Sequence, residues 1–555
     1  MPRSVLPYLI CCLVTGCSSG GADFVFQNGG VYTVDAARSR VEAVAVDDGR
    51  IVFVGDNEGV QQHVGTRTEV IDLAGKMLLP GLQDSHTHPI LGAVLSSMCR
   101  LDRATTKPAL LERIAECSAN DSEPWLLAFG WRSSLFYPEI APAKEELDRI
   151  ILDRPAVLIA KDMHTFWLNS KALEAAGITR ETPTPIGGEI LRDPESGDPS
   201  GALRDRALDL ALDDMPVPGL FATLSGLHAT LREMNRLGYT SLMDARVEDT
   251  QRAWAYRILD AVGLLDMRVS LALLFDPHAE EPQTNWFREI REDFDSDRID
   301  AQIVKIFVDG GTAVRSSASS AYADGTQAYE PYVPVEVLRE VVRRLDEDGF
   351  ATHLHTLGDR ATRIALDAVQ AARSSSSTTH ARHAITHLVY PNPSDLGRFQ
   401  RLDVTANISP WWAFHNDWSG SFPATLGPER AQWLYPFRSL AEKGVRLTAG
   451  SDYPFTPLNP FEAIEVGMTR RAPHDPDAPP LGEAQALGLE DLIGAYTINA
   501  AYQLHHEDAT GSIEVGKSAD LIIVDRYLFD TPREQISDTR VLMTMLEGEV
   551  LYRAP

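Results

Sequence analysis

Cysteine is scarce in this chain. Five occur in 555 residues, and three of them (Cys11, Cys12 and Cys17) crowd the first 17 positions. Cys99 and Cys117 have no histidine or further cysteine at zinc-finger spacing, which excludes that class of module. Positive charge is also short. Lys and Arg number 51 against 79 Asp and Glu, and a net charge of −28 repels phosphates, so nucleic acid is not an expected partner. The same charge disfavours binding to anionic lipid through surface electrostatics alone. Long apolar runs are missing, because the stretch Val5 to Val14 is too short to span a bilayer as a helix. No internal repeat is present, and the one biased tract, Ser374–Ser377, reads as a surface loop. No Gly-x-Ser-x-Gly elbow joins a predicted strand to a predicted helix, which removes the main support for a serine hydrolase. What remains is 44% hydrophobic and 23% charged, a globular composition long enough for more than one domain or one very large one.

The first residues stand apart. Met1-Pro-Arg-Ser is a short basic start, the next ten residues are mostly apolar, and Val14-Thr15-Gly16 sets small residues before Cys17. This segment resembles a bacterial lipoprotein signal peptide. The resemblance implies removal of residues 1–16, a lipid on Cys17 and a flexible tether over residues 17–23. It implies a chain held outside the cytoplasm, bound to the cell envelope through its N-terminal lipid. In a Gram-negative host, Ser18 after the cysteine favours the outer membrane, facing the periplasm. An uncleaved apolar N-terminus is the alternative. In an oxidising compartment Cys99 and Cys117 either pair or stay as two buried thiols, and the sequence leaves both open. It also leaves homo-oligomerisation open.

Residues 24–75 read as short strands broken by Gly, Asp and Asn, for example Val31-Tyr-Thr-Val, Val41 to Val46 and Ile51-Val-Phe-Val-Gly. The C-terminal residues 508–555 read the same way. Neither flank is long enough for a comfortable sheet domain, so one small β-sandwich built from both chain ends is expected. Between them, residues 76–507 alternate strand and helix. Eight candidate strands are Lys76–Leu82, Tyr239–Asp244, Arg268–Phe275, Gln302–Asp309, Phe350–His355, Ala384–Leu388, Val404–Ser409 and Val445–Gly450. Amphipathic stretches such as Leu224–Leu237, Val335–Glu347 and Asp359–Ala372 separate most of them. Eight such units predict an α/β fold, a (β/α)8 TIM barrel. The gap after the first strand is too long for one crossover, so residues of about 92–219 form an insertion beside the active face.

Barrel enzymes build their sites at strand C-terminal ends. At those ends stand His86-Thr-His88, Lys305 within an apolar run, His353-Leu-His355, His387 and Asp452. On an extended backbone, residues two apart point the same way, so His86 and His88 can grip one ion. The same period puts His353 one layer below His355, as a core or supporting histidine. His383 is expected lower on the sixth strand, and His505 and His506 at the surface.

Six strings carry a wider resemblance: Leu79-Pro-Gly-Leu-Gln-Asp-Ser-His-Thr-His88, Lys305-Ile-Phe-Val-Asp-Gly310, His355-Thr-Leu-Gly-Asp-Arg-Ala361, Arg382-His-Ala-Ile-Thr-His387, Gly450-Ser-Asp-Tyr-Pro454 and Gly516-Lys-Ser-Ala-Asp-Leu521. The insertion adds His164-Thr-Phe-Trp-Leu-Asn-Ser-Lys-Ala-Leu173 and Gly187-Gly-Glu-Ile190. Together they resemble the amidohydrolase superfamily of metal-dependent hydrolases, and within it family 3, a YtcJ-like group related to N-substituted formamide deformylases. The resemblance spans nearly the whole mature chain.

It implies a metal-dependent hydrolase of non-peptide C–N bonds, acting on a small molecule such as an N-acyl or N-formyl amine. His86, His88 and Asp452 would hold one divalent ion, and His355 and His387 a second. Lys305, carbamylated as in binuclear members of the superfamily, would bridge them. Without carbamylation the site would hold one ion, and the lysine would snorkel or pair with an acid. Zinc suits His and carboxylate ligands best, with manganese or iron as alternatives. Asp452 is the expected general base and acid. His164 is expected either to touch substrate or to serve as a capping or buried structural residue, and Trp411 and Trp412, with Phe414 and Trp418, to form either an aromatic wall for the substrate, which Trp131 could join, or a packed loop. Two other readings keep the fold: deamination or lactone and ester hydrolysis on the same site, and a lipid-anchored binding protein on a retired barrel.

Overall fold

The computed structural model describes residues 21–555 except 122, 137–141, 162, 186–187, 213–214, 217–218, 278, 280–282, 295, 311–315, 324, 326, 376–380, 417–418 and 421. Cys17, the signal segment and Trp418 lie outside the described residues. Eight parallel strands form the central sheet in chain order: β1 (Leu82–Thr87), β2 (Tyr239–Val247), β3 (Arg268–Leu274), β4 (Ile299–Phe307), β5 (Ala351–Thr356), β6 (Ala384–His387), β7 (Thr405–Ile408) and β8 (Leu447–Ala449). The ends of this sheet meet. Asp452 N donates to His86 O at 2.7 Å and Ser85 Oγ to Ala449 O at 2.8 Å, which closes the barrel. The helices Leu220–Arg236, Val335–Glu347 and Asp359–Ser375 bury apolar faces against it and connect parallel neighbours.

The first expected strand is corrected. Met77–Pro80 is a strand of a different sheet, antiparallel to Leu521–Val524 and parallel to Gly30–Tyr32. The chain then passes Pro80-Gly81 and enters β1, which is polar in sequence (Gln83, Asp84, Ser85, His86, Thr87) and wholly buried. The six-stranded sheet holding Met77–Pro80 runs from Glu549–Arg553 to Arg40–Val41 and uses both ends of the chain. A four-stranded sheet (Arg50–Gly55, Ala43–Asp47, Phe24–Gln27, Glu69–Asp72) faces it across a shared core of Phe26, Val44, Val46, Leu78, Leu521 and Met545. This is the composite sandwich. It grips the strand starts of the barrel. Arg268, at the start of β3, pairs with Asp520 at 3.2 Å and with Glu547 at 2.7 Å, and Arg298 reaches the same Glu547 at 2.9 Å.

The insertion has its own six-stranded sheet, from Gly188–Arg192 to Cys99–Arg100. Its middle strand Ala156–Ala160 alternates between two cores. Val157 and Ile159 pack with Phe166 and with Leu95 of the helix after β1, while Leu158 packs with Leu110 and Ile114 of the helix Lys107–Asn120. Cys99 and Cys117 form a disulfide that ties the edge strand to that helix. Of the two readings left open by sequence, the structure takes the paired one.

Candidate metal centre

The polar side chains named above gather at the C-terminal end of the barrel. His86, His387 and Asp452 each offer one ligand atom within 4.8 Å of the others, and all three are buried. Asp452 Oδ1 stands 3.3 Å from His86 Nε2 and 3.2 Å from His88 Nε2. Lys305 Nζ lies 3.4 Å from His86 Nε2. The rings of His355 and His387 are 4.7 Å apart. His86, His88, Lys305, His355, His387 and Asp452, from five strands or strand ends, therefore share one compact volume.

The backbone at two of these positions is unusual. His387 and Asp452 have φ of 70° and 57°, the left-handed region that L-residues rarely occupy. Both fall where a strand turns away from the barrel, and such conformations persist where surrounding contacts enforce them. For Asp452 those contacts include Asp84. Its Oδ1 accepts from Ser451 N at 2.9 Å and from His86 N at 3.2 Å, tying the turn after β8 to β1.

Hydrogen bonding fixes the tautomer of His86. Thr386 Oγ1 donates to Asn407 Oδ1 at 2.7 Å, so its oxygen accepts from His86 Nδ1 at 3.0 Å. His353 Nε2 lies 2.8 Å from the same Nδ1. His86 Nδ1 thus carries the proton, and Nε2 presents its lone pair to the cluster. Burial, followed by the charge of Lys305, holds His86 and His88 well below the usual histidine range. Burial and the neighbouring His355 do the same for His387. These imidazoles are neutral donors. Burial pushes Lys305 down to about 7, opposed by Asp452, and raises Asp452 well above the usual carboxylate range, opposed by Lys305. Neutral imidazoles and one carboxylate around a single volume are the donor set of a divalent transition-metal ion, and the residues fit that group.

A match to the amidohydrolase family profile runs over residues 69–552. The chain belongs to the amidohydrolase family. It is similar to the putative amidohydrolase YtcJ of Bacillus subtilis, at 28% identity over 95% of this chain and 99% of that protein. It is equally similar to an N-substituted formamide deformylase of Arthrobacter pascens, at 29% identity over 96% of this chain and 98% of that protein. Among solved structures, an uncharacterized metal-dependent hydrolase from Pyrococcus furiosus shares the fold at a TM-score of 0.71, with 24% identity over 91% of this chain and 99% of that one.

In this amidohydrolase the other expected site residues divide. Trp412 stacks parallel on His387 with ring centroids 4.6 Å apart, so it lines the cluster. Trp411 turns edge-on to Phe414 at 5.0 Å, one step out. His164, about a third exposed, sets Nδ1 3.1 Å from Asp205 Oδ1 in the insertion, and its charge is among those acting on His355. Trp131 is corrected. It is 1% exposed, donates Nε1 to Leu158 O at 2.9 Å and packs on Phe136 and Trp167 inside the insertion core, where no substrate reaches. His383 lies below the cluster, with Nδ1 accepting from Thr352 N and Nε2 2.9 Å from Asp346 Oδ1. His505 and His506 are partly buried rather than on the surface, and His506 Nε2 lies 3.2 Å from Asp300 Oδ2.

Several neighbours had no separate signal. Asp309 ends the Lys305–Gly310 string; its carboxylate accepts from Ser317, Leu357 and Gly358 N–H and lies 3.5 Å from His355 Nδ1. Thr386 and Asn407 are ordinary strand residues by sequence, and only the closed barrel puts Thr386 against His86 with Asn407 behind it.

Proposed function

We propose that this amidohydrolase cleaves an amide-type C–N bond of an N-acyl or N-formyl amine, with Asp452 moving the proton. The convergence of His86, His88, His387, Asp452 and Lys305 carries the reading. A divalent ion held by these donors would lower the pKa of a water towards about 7 and would polarise a carbonyl oxygen. Asp452, whose Oδ1 lies at the centre of the cluster, accepts the proton of the attacking water and delivers it to the departing nitrogen. His86, oriented through Nδ1 by Thr386 and His353, keeps its Nε2 aimed at the ion. Trp412, stacked on His387, walls one side against bulk water and offers an apolar face to the substrate.

Zinc is the ion proposed, on the His-rich donor set. Lys305 is proposed as a carbamate formed with CO2, with loss of one proton. A buried amine pushed down to about 7 supports this, because the neutral form is the one that reacts. As a carbamate it would join the ion held by His86, His88 and Asp452 to one held by His355 and His387. Cys17 is proposed as the lipid-bearing residue of a protein anchored outside the cytoplasm, and the Cys99–Cys117 disulfide suits an oxidising compartment.

The test is a metal assay joined to a substrate screen. Purified protein is expected to hold between one and two divalent ions per chain and to release amine from N-formyl or N-acyl amines. His86→Ala and Asp452→Asn should each abolish turnover in folded protein. Less than about 0.2 ion per chain, unchanged on adding zinc or manganese, would sink the enzyme reading. Turnover confined to lactones or aminopurines would replace the bond class. Cys17→Ser should move the protein from the membrane to the soluble fraction, and unchanged fractionation would refute the anchor.

A further inference from the structure

Beneath the metal cluster the barrel core is polar. Ser85 on β1, Thr386 on β6, Asn407 on β7 and Thr448 on β8 meet Gln503, the last residue of the helix Ile498–Gln503. Each of the five is at most 1% exposed. In such a dry setting a donor facing a donor is costly, so each bond dictates the direction of the next.

One atom in this group has a fixed role. Ser85 O is a main-chain carbonyl and only accepts. The Gln503 atom 3.1 Å from it is therefore the amide nitrogen, Nε2. That leaves Gln503 Oε1 to accept the hydroxyl proton of Thr448. Thr448 Oγ1, with its one proton committed, accepts from Asn407 Nδ2 at 3.0 Å. Ser85 Oγ gives the same instruction, donating to Ala449 O at 2.8 Å and accepting from Asn407 Nδ2 at 2.9 Å. Both protons of the Asn407 amide are thus engaged, and its Oδ1 faces Thr386 Oγ1, which donates at 2.7 Å. The Thr386 oxygen then accepts from His86 Nδ1 at 3.0 Å. His353 Nε2 lies 2.8 Å from the same Nδ1, but the other nitrogen of His353 has no hydrogen-bond partner among the described residues. With its own proton unassigned, His353 steadies the His86 ring without choosing between its nitrogens.

Resting on the proposed metal centre, we infer that Asn407 and Gln503 are positioning residues for it. Through Thr386 they hold the proton of His86 on Nδ1 and leave Nε2 free to ligate an ion. Asn407 stands one side chain back from His86, and Gln503 stands three back. Without Asn407, the Thr386 hydroxyl can donate to Nδ1 instead. That bond selects the tautomer protonated at Nε2, which has no lone pair there for an ion.

The test is a double-mutant cycle on zinc affinity, read by chelator competition. Asn407→Leu should weaken zinc binding at least about 10-fold, as removal of support behind a ligating histidine does. Gln503→Met, farther back and similar in volume, should weaken it about 3- to 10-fold, the worth of one hydrogen bond. In a Thr386→Val background no hydroxyl transmits the orientation, and each change should alter affinity by less than about twofold. A packing role alone would lower affinity equally in both backgrounds. If Asn407→Leu does not fold, Gln503→Met decides alone. Unchanged affinity, or a loss undiminished by Thr386→Val, overturns the inference. NMR of metal-free protein carrying isotope-labelled histidine reads the tautomer directly, with His86→Asn identifying the signal. Nε2 of His86 should carry no proton in the wild type and should gain one in part of the Asn407→Leu population. A protonated Nε2 in the wild type refutes the relay. The expected tautomers in a protein that binds no zinc would sink the metal-centre reading and leave the relay standing.

Discussion

Asp244 offers a test of the barrel rim that needs no substrate. Its side chain is 1% exposed on β2, with Tyr256 OH donating to Oδ2 at 2.8 Å and Arg246 N to Oδ1 at 3.3 Å. Burial outweighs these two bonds and pushes the carboxyl from the ordinary 3.8 up to about 7. Between those values the unfolded chain has released its proton and the folded one has kept it. The native state then binds more protons, so stability falls as pH rises through this window and levels off above pH 7. At 1.36 kcal/mol per pKa unit, the full loss is about 4 kcal/mol. Asn keeps an acceptor for Arg246 N and has no proton to lose. Asp244→Asn should therefore gain on the wild type by about 2–3 kcal/mol between pH 5 and pH 8, where most of the window lies. The assay is thermal unfolding of both proteins at matched metal loading across that range. The difference in Tm should widen with pH by several degrees in favour of the variant and then stop. A difference that stays flat, or that widens towards low pH, would refute the assignment of a protonated Asp244.

Three further predictions follow from contacts described above. His353→Phe removes the imidazole 2.8 Å from His86 Nδ1, and metal affinity should fall about 10- to 100-fold in a chelator competition, with Tm of the metal-free protein little changed. An unaltered affinity would show that Thr386 alone suffices to orient His86. Asp346→Ala leaves Arg373 and the buried His383 without their shared carboxylate (3.1 and 2.9 Å) and should cost about 3–5 kcal/mol in chemical unfolding. Opening the Cys99–Cys117 disulfide, which closes 18 residues of chain, should cost the insertion about 3 kcal/mol, read as faster amide exchange over residues 99–120. Uniform acceleration across the barrel would contradict an insertion with its own core.

The ligands were legible because a barrel concentrates chemistry at strand ends, and polar residues there interrupt apolar runs that read plainly as strands. Seven of the eight strands lie where those runs predict them, from Tyr239–Val247 to Leu447–Ala449. The first does not. Met77-Leu-Leu-Pro looks like a buried barrel strand but pairs with Leu521–Val524, while β1 is polar and buried because it lines the site. Local pattern cannot show which sheet an apolar strand joins. Trp131 failed for a related reason. An aromatic residue after Phe129-Gly130 looks the same whether it faces a substrate or a second hydrophobic core, and here the insertion supplies that core. Asp84 and Thr386 stand inside the quoted strings, but their roles, like that of Asn407, were unreadable because each depends on partners more than twenty positions away in sequence.

The composite sandwich has a consequence for how the chain is made. Met77–Pro80 needs Leu521–Val524 as its antiparallel neighbour, and about 440 residues separate the two. At a synthesis rate of about 5–20 residues per second, its edge waits roughly 20 to 90 s for that partner. During that interval Leu78 and Leu79, both buried in the finished molecule, have no Ile522 or Ile523 to pair with. The edge is short and ends in Pro80-Gly81, which limits how far a stray strand can extend along it. The barrel, whose strand starts are clamped by Arg268 to Asp520, likewise receives its lower fastening near the end of synthesis. A ribosome stalled just past Asp452 would carry all the proposed metal ligands on a chain still lacking the strand that secures its first sheet.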